Sequence, residues 1–259
     1  MRKELLLHCG LACWALAAQA QQPRDVDFAT QHFPPYVVEQ RGQPTGPLVD
    51  VLNAACKSLS WNCRARIYPW RRAADLVEHA EVDGMFPTLD VPERRAVMRL
   101  TVPVVDARYV FFSRRGEEFV YRGPESLVGH EIGVYGPSGT ATTLQGLVTG
   151  LPVRVRLERD NAVALKMLAA GRYGDKGLVF ANEQVALSLQ DSHEITGVQS
   201  SGSGKDVNYA FGLTRRRMSE ADFNAFDAAL KELCRTGRTA DLVKPYALPA
   251  SACSAPARR

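Results

Sequence analysis

Little in this 259-residue sequence is present in excess, and its absences narrow the reading first. The leading apolar run, Leu5 to Ala18, is too short to cross a bilayer as a permanent anchor. The net charge is only +4. Its basic groups, Arg64 to Arg72 and Arg215 to Arg217, are short and interrupted, so the dense stripe of a nucleic-acid surface is missing. No paired C-x-x-C spacing of the kind zinc favours occurs. His32, His79, His130 and His193 are scattered without ligand spacing, so neither a metal nor a cofactor is implied. No G-x-S-x-G is present, and no nucleophile–base arrangement stands out. Gly202-Ser203-Gly204-Lys205 superficially resembles a phosphate loop. The glycine needed five residues before Gly204 is replaced by Gln199, however, and Asp206 follows Lys205 where Ser or Thr is required.

What is there begins with an export signal. Arg2 and Lys3 give residues 1–20 a positive start, Leu5 to Ala18 an apolar centre, and Ala18-Gln19-Ala20 an A-x-A cleavage site. A lipoprotein alternative at Cys13 lacks the leucine such a site wants three residues upstream. The remainder is long enough for two small lobes or one large one. Cys9 and Cys13 leave with the signal. Cys56, Cys63, Cys234 and Cys253 remain, an even number that suits an oxidising compartment and allows three pairings.

Along the chain, short strands alternate with helices. Val26 to Ala29 reads as a strand, followed by a turn at Pro34-Pro35. Leu48, Val51, Leu52, Ala55 and Leu59 share one face of a helix between Gly46 and Leu59. A strand at Arg64 to Tyr68 precedes Pro69-Trp70-Arg71-Arg72 and a helix through Ala80. This rhythm implies a parallel sheet with right-handed crossovers. Glu131 to Tyr135 is a strand leading to Ser138, a natural N-cap whose helix start is also an anion site. Asp160 caps a further helix that Gly171 ends. Leu178 to Ala181 is a buried strand with Asn182-Glu183 at its end, and Ser200 to Asp206 is a polar linker. Tyr209 to Leu213 is a strand, Ser219 with Asp222 opens a helix as a capping box, and Gly237 stops it. A short helix over Thr239 to Tyr246 and a Pro/Ala/Ser/Arg tail follow.

The stretch around which the rest is organised is Asp83 to Asp106. It reads as a buried strand (Val82 to Phe86), a turn opened by Pro87 and Asp90, a helix beginning at Pro92, and an extended run from Leu100. Arg94, in the first helical turn, is poorly placed for the macrodipole. It is well placed to hold a carboxylate brought to that helix end with its planar fork. Taken alone, Arg94 beside Arg95 reads as a solvated surface arginine.

The order apolar strand, small polar residues, Pro92-Glu93-Arg94, then Thr101-Val102-Pro103 resembles the core motif of family 3 solute-binding proteins, the polar-amino-acid receptors of bacterial ABC importers. The resemblance runs from about Val26 to Tyr246. It implies an α/β fold of the periplasmic binding protein type II: two lobes, each a mixed sheet flanked by helices, joined by a two-strand hinge. Residues 21–106 and 206–248 would form the first lobe, 107–205 the second, and 249–259 a C-terminal tail. It also implies that Arg94 clamps a ligand carboxylate, with Phe33 and Trp70 as an aromatic clamp and Thr88 and Leu89 beside them. Ser138, Thr140 and Asn182 would be added from the second lobe on closure. A Cys56–Cys63 disulfide is implied and, with it, a second pair Cys234–Cys253.

Three positions depart from the family pattern. Asn182 stands where amino-acid receptors place an aspartate for the ligand ammonium, Leu89 replaces a hydroxyl residue, and Val102 replaces an aspartate. Burying an ammonium without an anion is expensive. Glu183 could substitute if it turned inward, but a neighbour on a strand end is expected to point the other way. A small organic anion, or a modified or uncommon amino acid, is then as well suited as a standard one. The resemblance implies a monomeric periplasmic protein that captures a small carboxylate-bearing solute by lobe closure and delivers it to an inner-membrane ABC permease. A sensing module for a membrane receptor is the related reading. The rival class is an enzyme: a secreted dehydratase of prephenate-like acids on the same fold carries Pro-Gly-Gly-Thr-Asn-Glu near Pro137-Ser138-Gly139-Thr140. This chain continues Ala141-Thr142, without that Asn and Glu.

Overall fold

Alternating burial begins with the first strand, where Val26 and Phe28 enter the core and Asp25 and Asp27 do not. The structure, a computed structural model, describes residues 24–252, so the export signal and Cys253 lie outside the described residues. The chain opens with β1 (Arg24–Thr30), the hairpin β2 (Val38–Gln40) and β3 (Gln43–Thr45), and α1 (Pro47–Ser58). Next come β4 (Trp61–Ile67), α2 (Trp70–Glu78), β5 (Gly84–Thr88), α3 (Pro92–Val97), β6 (Met98–Leu100) and β7 (Val105–Arg114). A 3-10 turn at Pro124–Leu127 leads to β8 (Glu131–Tyr135), α4 (Gly139–Leu147), β9 (Arg154–Glu158), α5 (Asn161–Ala169), β10 (Gly177–Asn182) and α6 (Glu183–Ser192). The chain closes with β11 (Val198–Thr214), α7 (Glu220–Arg235), α8 (Arg238–Val243) and a second 3-10 turn at Lys244–Tyr246.

The strands lie in the order β4-β1-β5-β11-β7-β10-β8-β9, with β6 also on β11. β1 runs parallel to β4 and β5, and β8 runs parallel to β9 and β10. Two α/β halves are therefore joined through one antiparallel pair, β7 and β11, whose register runs from Val105↔Tyr209 to Val198↔Arg114. Each half keeps its own core. Phe28, Phe86, Phe211 and Phe226 pack ring against ring under α1 and α7 in the first half. In the second, Phe111 and Phe180 pack with Ile132, Val134 and Leu144. Parallel strands bury both faces, which is why β5 and β10 are buried along their whole length.

The local signals act as expected. α1 has Pro47 in its first turn and buries Leu48, Val51, Leu52 and Ala55. Ser138 accepts from Ala141 N, Asp160 accepts from Val163 N, and Ser219 and Asp222 form a reciprocal capping box. Cys56 and Cys63 are bridged, tying α1 to β4. The pairing expected for Cys234 falls on Cys253, outside the described residues.

Two expectations need correction. β5 begins at Gly84, two residues later than Val82, and runs through Pro87 to Thr88, so Pro87 lies within the strand and does not open a turn. Ser200 to Asp206 is no linker but the middle of β11, with register shifts between Ser200 and Ser203 and between Ser203 and Lys205. Its glycines serve packing: a Cβ on Gly204 would lie 2.7 Å from the Phe180 ring and 2.8 Å from Phe111. The hairpin β2/β3, with strands of 3 residues, and the edge strand β9, dominated by Arg and Glu, were not legible beforehand, and neither was helix α6.

Candidate functional site

Between the two halves lies a cleft of about 730 Å3, and every expected site residue lines it: Phe33, Trp70, Thr88, Leu89, Arg94, Ser138, Thr140 and Asn182. The ends of β5, β8 and β10 open into this cleft. Carboxyl ends of parallel strands are the usual ligand crevice of open α/β sheets.

Arg94 and Arg95 are neighbours with opposite fates. Arg95 forms a bidentate pair with Asp90 and is exposed. The guanidinium of Arg94 instead turns back over the Trp70 ring, 4.9 Å from its centroid. It has no ion pair among the described residues. Burial pushes its pKa down from the ordinary arginine value, offset in part by Glu93 and Glu78. A guanidinium stays protonated regardless, so the cleft holds a partly desolvated cation with its donors unspent. The expected clamp is accordingly modified, since one face of Trp70 is covered by Arg94.

Phe33 sits in a tight turn closed by its own backbone bonds to Val37, N to O 2.8 Å and O from N 3.0 Å. Its ring stacks on Tyr36 with centroids 5.2 Å apart and meets Tyr209 edge-on at 5.7 Å. The ring thus packs against the first core and also forms cleft wall.

Facing these from the second half, Ser138 is committed to its own turn. Its hydroxyl donates to Tyr135 O at 2.6 Å and accepts from Ala141 N at 3.1 Å. What the start of α4 offers a ligand is therefore the N–H groups of Gly139 and Thr140, which precede the first helical acceptor. Leu89 reaches across to this helix start: a Cβ on Gly139 would lie 2.9 Å from Leu89 Cδ1.

Asn182, only 2% exposed, caps α6. Its Oδ1 accepts from Val185 N at 3.0 Å, and its Nδ2 donates to Tyr209 Oη at 3.1 Å and Tyr36 Oη at 3.3 Å. The Tyr209 hydroxyl lies 3.4 Å from that of Tyr109. Burial raises the pKa of all three phenols, so they stay neutral hydrogen-bonding groups. Glu183, as expected, does not turn in, and pairs with Arg108 at 2.9 Å. Sequence reasoning missed this tyrosine cluster. Nothing local marks it, because its members come from three distant segments.

The cleft is acidic only at its exposed rim, where Asp75, Glu78 and Glu93 lie. Thr88, at the end of β5, is 1% exposed, and its Oγ1 has no hydrogen-bond partner among the described residues.

Comparison with known proteins gives the family and the fold. The family model described as bacterial extracellular solute-binding proteins, family 3, matches residues 27–249. A protein of Escherichia coli (strain K12), named as an ABC transporter arginine-binding protein 2, is 25% identical over 135 residues. That match spans 51% of this chain and 54% of the relative, about half the length of each. Among solved structures, a histidine kinase sensor domain with similarity to periplasmic binding proteins superposes with a TM-score of 0.76 at 18% identity. It covers 89% of this chain and 99% of its own. An ancestral arginine-binding protein bound to arginine gives 0.74 at 17% identity, covering 87% and 99%. These likenesses show the fold, a mixed α/β periplasmic binding protein of type II.

Proposed function

We propose, from the premise that the chain belongs to the bacterial extracellular solute-binding proteins of family 3, that it captures a small carboxylate-bearing solute between its halves and delivers it to an inner-membrane ABC permease. The observation that carries this reading is Arg94: a half-buried guanidinium, braced by Trp70 and paired with no carboxylate among the described residues, facing a cleft of about 730 Å3. Removing a cation from water without a partner is costly, and an arriving carboxylate repays that cost with two charge-assisted bonds.

In this mechanism the solute docks on Phe33, Trp70, Thr88, Leu89 and Arg94. Rotation about β7 and β11 then brings the start of α4, with Ser138 and Thr140, and the Asn182 cluster onto it. A ligand that contacts both halves favours the closed form by its differential affinity. The chain acts as a monomeric binder and not as an enzyme. It is exported to the periplasm through cleavage after Ala20, and N-terminal sequencing of the mature protein should begin at Gln21. Calorimetry with a panel of amino acids and small organic acids tests the central claim: Arg94→Ala should abolish binding of every carboxylate ligand. Unchanged affinity would remove the clamp.

A second reading, a ligand-sensing module for a membrane receptor, is favoured by the likeness to the histidine kinase sensor domain over 89% of the chain. Loss of solute uptake on deleting the gene supports transport. Intact uptake with a lost transcriptional response supports sensing.

A further inference from the structure

Asn182 has no free hydrogen-bonding capacity for a ligand cation. The helix fixes the amide's orientation, because Oδ1 must face the Val185 N–H it accepts from. Nδ2 is then directed at Tyr36 and Tyr209, whose hydroxyl oxygens accept its protons. Oδ1 also accepts from Tyr36 Oη at 3.4 Å, so both positions of the amide are engaged within the protein, and the group presents no negative charge. Around it the floor of the cleft contains Tyr109, Tyr209 and Thr88, all buried and all carrying neutral hydroxyls. Thr88 Oγ1 has no partner among the described residues. The neighbouring carboxylate, Glu183, is held by Arg108. The acids that do line the cleft, Asp75, Glu78 and Glu93, are exposed, and Glu93 and Glu78 act on Arg94, whose charge they offset.

From this arrangement we infer that the cleft selects a carboxylate whose neighbouring substituent is an uncharged oxygen, a 2-hydroxy or 2-oxo acid, and discriminates against the corresponding 2-amino acid. The inference rests on the reading of Arg94 as carboxylate clamp and specifies what lies beside that carboxylate. An amino acid held by Arg94 would bury its ammonium against hydroxyls that compensate one charge with none. A hydroxyl or carbonyl at the same carbon instead exchanges water for neutral partners of its own kind. The buried hydroxyls can serve either as donors to a carbonyl or as acceptors from a hydroxyl.

The test uses matched sets with one carbon skeleton: leucine, 2-hydroxyisocaproate and 2-oxoisocaproate, and phenylalanine, phenyllactate and phenylpyruvate. Calorimetry on the full mature chain should show at least one hydroxy or oxo acid binding tenfold or more tightly than its amino partner. Asn182→Asp keeps one oxygen for the Val185 N–H and turns the other toward the two tyrosines, which can rotate to donate, so the variant retains the cap. It should reverse the preference toward the amino acid. An amino acid that binds the unaltered chain as tightly as its hydroxy and oxo partners, or an unchanged ratio in Asn182→Asp, overturns the inference. Arg94→Ala separates the two claims: it should abolish binding of all three members of a set whichever is preferred. Survival of binding there defeats the clamp rather than the selectivity.

Discussion

Tyr36 and Asn182 lie 146 residues apart in sequence and 3.3 Å apart at Oη and Nδ2, and their bond crosses from the first half of the molecule to the second. Tyr36 follows β1 and is fully buried beneath Phe33, while Asn182 ends β10. The contact fixes the floor of the cleft and links it to the relative position of the two halves.

Tyr36→Phe keeps the ring in its stack and removes this link. A neutral hydrogen bond contributes about 1 kcal/mol, so the variant should melt a few degrees lower and open more readily. Differential scanning calorimetry and small-angle scattering would register both changes. An unaltered melting temperature with an unaltered radius of gyration would show that the bond does not restrain the halves.

Trp70→Ala should weaken carboxylate binding about 2- to 30-fold, corresponding to the roughly 0.5–2 kcal/mol of a guanidinium over an indole face. The cause is loss of the surface that holds the Arg94 fork 4.9 Å above it. Trp70→Phe should recover most of the affinity. Calorimetric titration of both variants with the same acid decides the matter, and equal affinities in all three proteins would deny Trp70 this bracing role.

Asp222 gives stability a dependence on acid. Burial opposes its ionisation, but hydrogen bonds from the Ser219 hydroxyl and backbone N–H and the adjacent Arg24 outweigh it, so its pKa lies below the ordinary carboxylate value. The folded form thus binds the proton less readily than the unfolded chain. Its contribution is present above the unfolded pKa and disappears as pH falls through the depressed folded value. Asp222→Ala should cost about 1 kcal/mol near neutrality, typical of a lost cap, and nearly nothing in strong acid. Chemical denaturation across that range checks it; a constant difference at all pH values would contradict the assignment.

The Cys56–Cys63 bridge closes a short loop, with a sequence separation of 7. On the chain-entropy account such a loop is worth about 2.5 kcal/mol. The double variant Cys56→Ala with Cys63→Ala should therefore melt about 5–10 °C lower for a chain of this size. It should retain ligand binding, because the bridge ties α1 to β4, away from the cleft. Thermal melts and calorimetry on that variant test both parts.

Helices and strands were legible wherever periodicity and caps agreed. Ser138, Asp160, Ser219 and Gly237 marked their ends from local chemistry alone, because a cap depends on backbone groups within three residues of it. The reading failed where a residue type is ambiguous without its neighbours. Gly202 and Gly204 look like linker glycines until Phe111, Phe180 and Tyr121 press against them.

The sequence by itself determined the alternation of strands and helices, the capping, the segment carrying Arg94, and the absence of charge at Asn182, since these depend on residue identity and short-range spacing. Only the tertiary structure decided that Arg94 rather than Arg95 turns into the cleft, that Trp70 braces it, and that Asn182 is surrounded by Tyr36 and Tyr209. Those outcomes depend on which distant side chains compete for the same donors. That competition exists only once β7 and β11 have brought the two halves face to face.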